Sequence, residues 1–185
     1  MELILASGSP RRKELLSLYT TDFTVCISDF DEDAVQADTP AELVEKLACG
    51  KCLSVAAEHP GAVVIGCDTV VDVNGEVFGK PKDREDARRM LKALSGSTHA
   101  VHTGVCVSDG SRTESFVDSC KVTFFPMSED EIEYYIATAE PYDKAGAYAI
   151  QGCAALWLDR IEGDYYTIMG LPVSRTVRLL EHFRR

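Results

Sequence analysis

Ala62 to Cys67 is an apolar run of strand length that stops at Asp68-Thr69 and resumes as Val70, Val71 and Val73. Such a strand belongs in an interior and needs amphipathic elements to cover it. The rest of the chain supplies them, because helical and strand patterns interleave along the whole sequence. That order defines an α/β class with a mixed sheet. No internal repeat, low-complexity tract or linker divides the chain, and 185 residues, 45% of them hydrophobic, suffice for one good core in a single domain over 1–185.

Leu3, Ile4 and Leu5 read as a short buried strand, followed by Ser9 as N-cap and Pro10 as the first residue of a helix that faces inward through Leu15, Leu16 and Tyr19. Phe23, Val25 and Ile27 alternate as a half-buried strand. Thr39-Pro40-Ala41-Glu42 is a capping box opening a helix to about Ala57, with Leu43, Val44 and Leu47 inward. Asn74-Gly75 reads as a hairpin turn. Asp83 caps a helix carrying Ala87, Met90, Leu91 and Leu94, which ends at Ser95-Gly96. Two long strands flank Asp109-Gly110, and Ser128 to Glu131 is a second capping box, leading a helix with Ile132, Tyr135 and Ile136 on its apolar side. Ala154 to Ile161 reads as a strand. The last helix opens at Pro172 and runs to the C-terminus with Val173, Val177 and Leu180 inward.

A net charge of -11 and a pI near 4.8 argue against a nucleic-acid partner, since a polyanion is repelled at long range, whereas a small anion can still use a local basic pocket. No apolar run approaches roughly 18 residues and no signal-peptide pattern opens the chain, so no membrane association and a cytoplasmic location are expected. The seven cysteines then read as reduced thiols. Cys49-Gly-Lys-Cys52 has no second pair at zinc spacing, and the four histidines form no metal motif.

Four segments carry polar residues that packing does not require. In the opening loop, Ser7, Gly8 and Ser9 offer hydroxyls and N–H groups, while Arg11 and Arg12 stand in a helical first turn where a cation is disfavoured unless an anion binds there. Asp68 interrupts an interior run, which marks either a catalytic carboxylate or a strand-end aspartate bonded to a turn. Lys80, in FGKPKD, is either a point charge for phosphate or a solvated loop residue, and the loop lacks Walker A spacing. In DKAGAYAIQG, small residues permit close approach to a flat ligand and Gln151 offers a donor and an acceptor to a base edge. Glu32, in an acidic loop, either shares a divalent cation with Asp68 or is one of a solvated charge run.

The segments LASGSPRRKELL, GCDTVV, GEVFGKPKD, LSGSTHAVHTGV, DKAGAYAIQG and GLPV resemble, in order and spacing, those of the Maf family of septum-formation-associated nucleotide pyrophosphatases. The resemblance covers nearly the whole chain. It implies a Maf/ITPase-like α/β fold with an elongated mixed sheet flanked by helices and a central cleft between two lobes. It also implies hydrolysis of nucleoside triphosphates between the α and β phosphates with Mg2+ or Mn2+, and a homodimer. By the same resemblance Asp68 is the proton acceptor, and Glu32, Lys51 and Lys80 are charged residues of the site; that Glu32 and Asp68 hold the metal is the expectation drawn from the two carboxylates themselves. Ser7 and Arg12 belong to the phosphate loop, and Arg11, Thr69 and Gln151 match positions tied to a dTTP and UTP preference. Cys67, where alanine is common, and the bulky DYYTIM before GLPV depart from the usual pattern. Two rival readings stand beside this one: a non-catalytic nucleotide-binding regulator of cell division, and a non-specific phosphatase.

Overall fold

The computed structural model describes residues 2–183. Its strands are β1 (Leu3–Ala6), β2 (Thr24–Val25), β3 (Val63–Val73), β4 (Glu76–Phe78), β5 (Thr98–Ser108), β6 (Thr113–Phe124) and β7 (Leu158–Glu162). The α-helices are α1 (Pro10–Ser17), α2 (Pro40–Glu58), α3 (Arg84–Leu94), α4 (Glu129–Ile136), α5 (Tyr165–Met169) and α6 (Val173–Glu181). The strands form one seven-stranded sheet in the order β2-β1-β3-β5-β6-β7, with β4 paired to β3. β1 lies parallel to both β2 and β3, whereas β3–β4 and β6–β7 are antiparallel, so the sheet is mixed as the sequence pattern implies. No helix among the described residues is long and apolar enough to cross a membrane.

The chain divides into two compact units: one holds the chain up to Thr69, Thr103–Asp118 and the chain from Asp164 onward, and the other holds Val70–His102 and Ser119–Gly163. In the first unit α2 covers the sheet through Val44, Ala48, Cys52, Val55 and Ala56. The approach is close enough to need glycine. A Cβ on Gly66 of β3 would fall 2.2 Å from the Ala48 carbonyl oxygen, and one on Gly104 of β5 would fall 2.3 Å from that of Val44. Two successive turns of α2 therefore rest backbone-first on the sheet. The core cluster at this contact includes the thiols of Cys52 on α2 and Cys106 on β5, and Cys26 and Cys49 pack against the cluster. All seven cysteines are free.

The second unit packs α3 on α4. Here the Asn74-Gly75 turn carries positive φ at both residues (55° and 90°), as a type I′ hairpin demands. His99 is 3% exposed and lies against Tyr148, whose hydroxyl is 2.8 Å from Nε2, and against the Phe124 ring. Its Nδ1 has no partner among the described residues, and burial pushes the imidazole down from its ordinary value to about 4. The unfolded chain, with its histidine near 6.5, therefore takes up the proton first on acidification. The contribution is whole above about pH 6.5 and lost as pH falls toward 4. Between pH 7.5 and 5 His99 alone should remove about 2 kcal/mol of stability. Urea unfolding of His99→Phe at both pH values should show a drop smaller by that amount.

Several local expectations change. Of Phe23, Val25 and Ile27, only Val25 lies in β2, and Ile27 is 74% exposed. The inward residue is Cys26, which meets the core, so the alternation has the opposite phase. The Thr39 hydroxyl does cap α2 by accepting from Glu42 N, but the Glu42 carboxylate reaches back to Asp38 N, one residue beyond the N-cap, so the box is not a true one. Ala154 to Leu156 belongs to a 3₁₀ turn (Cys153–Leu156), and strand pairing begins only at Leu158. In α6 the buried residues are Thr176, Leu179 and Leu180, while Val173 and Val177 are half-buried. Thr176 tolerates the interior because its hydroxyl donates to Pro172 O. α6 ends at Glu181, and the expected continuation over Arg184 and Arg185 lies outside the described residues.

Candidate functional site

β3 does not end at Asp68. It runs on to Val73, which removes the strand-end reading of that aspartate. Successive strand residues point to opposite faces. Gly66 and Asp68 face α2, where Asp68 Oδ1 lies 2.7 Å from Lys51 Nζ, and Thr69 meets Arg12 of α1. Two clusters thus share one strand, both within the first unit.

In the first cluster, Lys51 Nζ also contacts Glu32 Oε2 at 2.8 Å. The Lys51 and Asp68 side chains are each only 13% exposed, whereas that of Glu32 is 52% exposed. Asp68 Oδ2 has no hydrogen-bond partner among the described residues. Glu32 is more than one of a solvated charge run, because its loop is pinned along α2. The Phe30 ring lies on Gly50, where a Cβ would come within 2.3 Å of it, and the Ser28 and Ser54 hydroxyls bond at 2.8 Å. Gly50, a helix-interior glycine costing about 1 kcal/mol relative to alanine, was the sequence signal for that contact. Beside Asp68, burial pushes the Cys67 thiol up to about 11 against the opposing pull of Arg12, so it stays neutral.

The second cluster is built on Arg12. Ser9 caps α1 from the expected position, accepting from Arg12 N, although at 3.5 Å. The guanidinium folds back: Nε donates to Gly170 O (2.9 Å), Nη1 to Ser7 Oγ (3.0 Å) and Nη2 to Thr69 Oγ1 (3.0 Å). Of its five N–H groups, two remain for a ligand. Ser7 Oγ accepts again, from Ser9 N at 3.3 Å, so the buried hydroxyl keeps its proton to donate. The Thr103 hydroxyl donates to Thr167 O (2.7 Å), which leaves Thr69 as the donor in the 2.9 Å bond to Thr103. Protons therefore run one way along Arg12, Thr69, Thr103 and the Thr167 carbonyl. Arg11 is half-buried in the same first turn of α1.

Sequence reasoning missed Thr103 and Gly170. Thr103 looked like one more residue of a strand, although a threonine at 0% exposure needs a partner. Gly170 ends α5 with φ of 101°, and its place before Leu-Pro was the available sign. A side chain there would crowd Thr69 and the Arg12 guanidinium, at 3.3 and 3.4 Å.

Lys80 and Gln151 lie in the second unit, both exposed. Their segments meet there, since Gly146 N donates to Gly79 O at 3.0 Å. Gly146 needs its φ of 72° and has no room for a Cβ, which would fall 2.9 Å from Val71. Neither Lys80 nor Gln151 has a side-chain partner among the described residues.

No group of three or more His, Cys, Asp or Glu side chains among the described residues is placed to hold a metal ion. What the first cluster offers is two carboxylates converging on one ammonium. That donor set fits a magnesium-type ion that arrives with a ligand, because such ions are commonly held by one or two carboxylates together with substrate phosphates.

Fold and site define an α/β protein with an arginine-braced loop and a lysine-bridged carboxylate pair on one strand. The chain belongs to the Maf-like protein family, whose sequence model matches residues 2–183. It is 50% identical over 182 residues to a dTTP/UTP pyrophosphatase of Symbiobacterium thermophilum, covering 98% of this chain and 94% of that one. It is 51% identical over 181 residues to a dTTP/UTP pyrophosphatase of Bacillus velezensis, covering 98% and 96%. Among solved structures, the Staphylococcus aureus Ham1 protein superposes with a TM-score of 0.56 at 16% identity over 99% of this chain and 97% of that one, a likeness of fold.

Proposed function

We propose that this protein is a nucleoside triphosphate pyrophosphatase that hydrolyses dTTP and UTP to the monophosphate and pyrophosphate. The observation that carries this reading is the half-buried Asp68, held by Lys51 through one oxygen, on the strand whose next residue joins the arginine-braced loop. The near-full-length likeness to pyrophosphatases of that specificity supports it.

Asp68 Oδ2 takes the proton of a water whose oxygen forms the new bond to the α-phosphorus. The bond from that phosphorus to the bridging oxygen breaks, and pyrophosphate leaves with the electron pair. Lys51 fixes the carboxylate's direction. The Ser7 hydroxyl and the two remaining Arg12 N–H groups donate to phosphate oxygens, aided by the N–H groups opening α1. Glu32 and Asp68 would hold a magnesium or manganese ion, which when bound neutralises phosphate charge and lowers the pKa of water. By the family resemblance, Lys80 meets a phosphate and Arg11, Thr69 and Gln151 set the base preference. Gln151 matches the O4 and N3–H edge of uracil or thymine with one donor and one acceptor.

Anion-exchange analysis after incubation with each common nucleoside triphosphate tests the proposal. UMP and dTMP with stoichiometric pyrophosphate, abolished by excess chelator, are expected. Orthophosphate as the direct product would favour a phosphatase, and saturable binding without product in folded protein would favour a regulator.

A further inference from the structure

The turn that carries Gln151 lacks the backbone bonds that fix most loops. From Tyr148 to Cys153 no N–H bonds to a backbone carbonyl among the described residues. Two side chains replace them. Ala149 N donates to the Tyr135 hydroxyl oxygen at 3.3 Å, and Cys153 N donates to Glu140 Oε2 at 3.1 Å. These anchors stand two residues before and two residues after Gln151. They are also joined, because the Tyr135 hydroxyl donates to Glu140 Oε1 at 2.7 Å.

Each part of this brace is itself held. Tyr135 is fully buried in the last turn of α4 beside the Trp157 ring, with centroids 5.5 Å apart. Trp157 Nε1 in turn donates to Glu131 Oε1, and the other oxygen of Glu131 closes the capping box on Ser128. Glu140 N bonds to the Thr138 hydroxyl, which donates to Tyr135 O. Gly152 completes the arrangement, since a Cβ there would fall 2.4 Å from both Glu140 carboxylate oxygens. The turn can close on the carboxylate only with glycine at that position.

A fully buried tyrosine and a carboxylate spent on two flanking N–H groups place the turn rather than a ligand. We infer that Tyr135 and Glu140 are positioning residues for base discrimination, setting the turn from which Gln151 meets the substrate base. The inference rests on the proposed function, in which Gln151 reads that base. Freed from either anchor, the turn gains conformations, and only the nucleotides that Gln151 recognises lose by it.

The experiment compares kcat and KM for UTP and GTP in the full-length protein and in Tyr135→Phe, Gln151→Ala and the double variant. Tyr135→Phe keeps the ring and removes only the hydroxyl. It should lower the UTP to GTP ratio of kcat/KM about tenfold, mainly through the KM for UTP, with GTP hydrolysis unchanged. In the Gln151→Ala background the same change should have no further effect on the ratio, because both act through one side chain. Glu140→Gln, which keeps one acceptor oxygen, should retain more of the ratio than Glu140→Ala.

An equal loss for UTP and GTP, as lowered folding would produce, overturns the inference, as does an unchanged ratio in Tyr135→Phe while Gln151→Ala collapses it. In both cases the base-reading role of Gln151 survives. If Gln151→Ala leaves the ratio intact, that role fails and the inference falls with it.

Discussion

Asp68→Asn should lower kcat for UTP at least 100-fold, the lower end of what a positioned acid-base group contributes, while leaving KM within a fewfold of the parent. The amide has the same shape, and its oxygen can still accept from Lys51, now 2.7 Å from Oδ1. Lys51 also keeps its second partner, Glu32, at 2.8 Å. The stability cost is therefore that of weakening one charge-assisted hydrogen bond, about 1 kcal/mol. What the variant loses is an oxygen able to take a proton. Steady-state kinetics with a thermal melt on the same sample separates the two effects. Turnover near that of the parent, with the melt unchanged, would remove Asp68 from the chemistry.

Gly66→Ala should strongly destabilise the first unit. Its Cβ would stand 2.2 Å from the Ala48 carbonyl oxygen and 2.7 Å from both Cys52 N and Cβ, all parts of a continuous helix. Contacts of that length do not occur, so α2 must lift by most of an ångström. The helix cannot yield locally, because the next turn toward its N-terminus rests on Gly104 in the same way. Overpacking of this kind costs about 3 kcal/mol, which for a chain of this size lowers Tm by about 6–12 °C. The displacement also reaches the site, since Lys51 precedes Cys52 on α2 and its hold on Asp68 depends on where the helix sits. Gly79→Ala, with nothing within 4 Å of the added carbon, is the matched control. A Tm for Gly66→Ala within 2 °C of that control would show that α2 does not need the contact.

Much of the fold was legible because its signals were local. The Ser9, Asp83 and Ser128 caps, the Asn74-Gly75 turn and the apolar run before Asp68 each declare themselves within a few residues. The misreadings came where tertiary contact decides. Nothing in Phe23 to Ile27 says that Cys26 faces the core, and nothing in Val173 to Leu180 says that a buried threonine displaces two valines from the inner face. The site divides in the same way. Asp68 stood out as a charge in an apolar run, but its pairing with Lys51 and the backward fold of Arg12 are contacts between distant segments. Gly66, Gly104 and Gly152 were silent for the same reason, since a glycine's necessity lies in what would collide with its missing side chain.

The bond from Arg12 Nε to Gly170 O spans 158 residues of sequence. At a synthesis rate of about 5–20 residues per second, Gly170 is made about 8–30 s after Arg12. Throughout that interval the nascent chain can hold β1 and α1 but not the carbonyl that turns the guanidinium toward Ser7 and Thr69. Assembly of this arrangement is thus deferred until α5 and Gly170 have been made, and a chain stalled before α5 carries Ser7, Arg12 and Thr69 without the bond that orients the guanidinium.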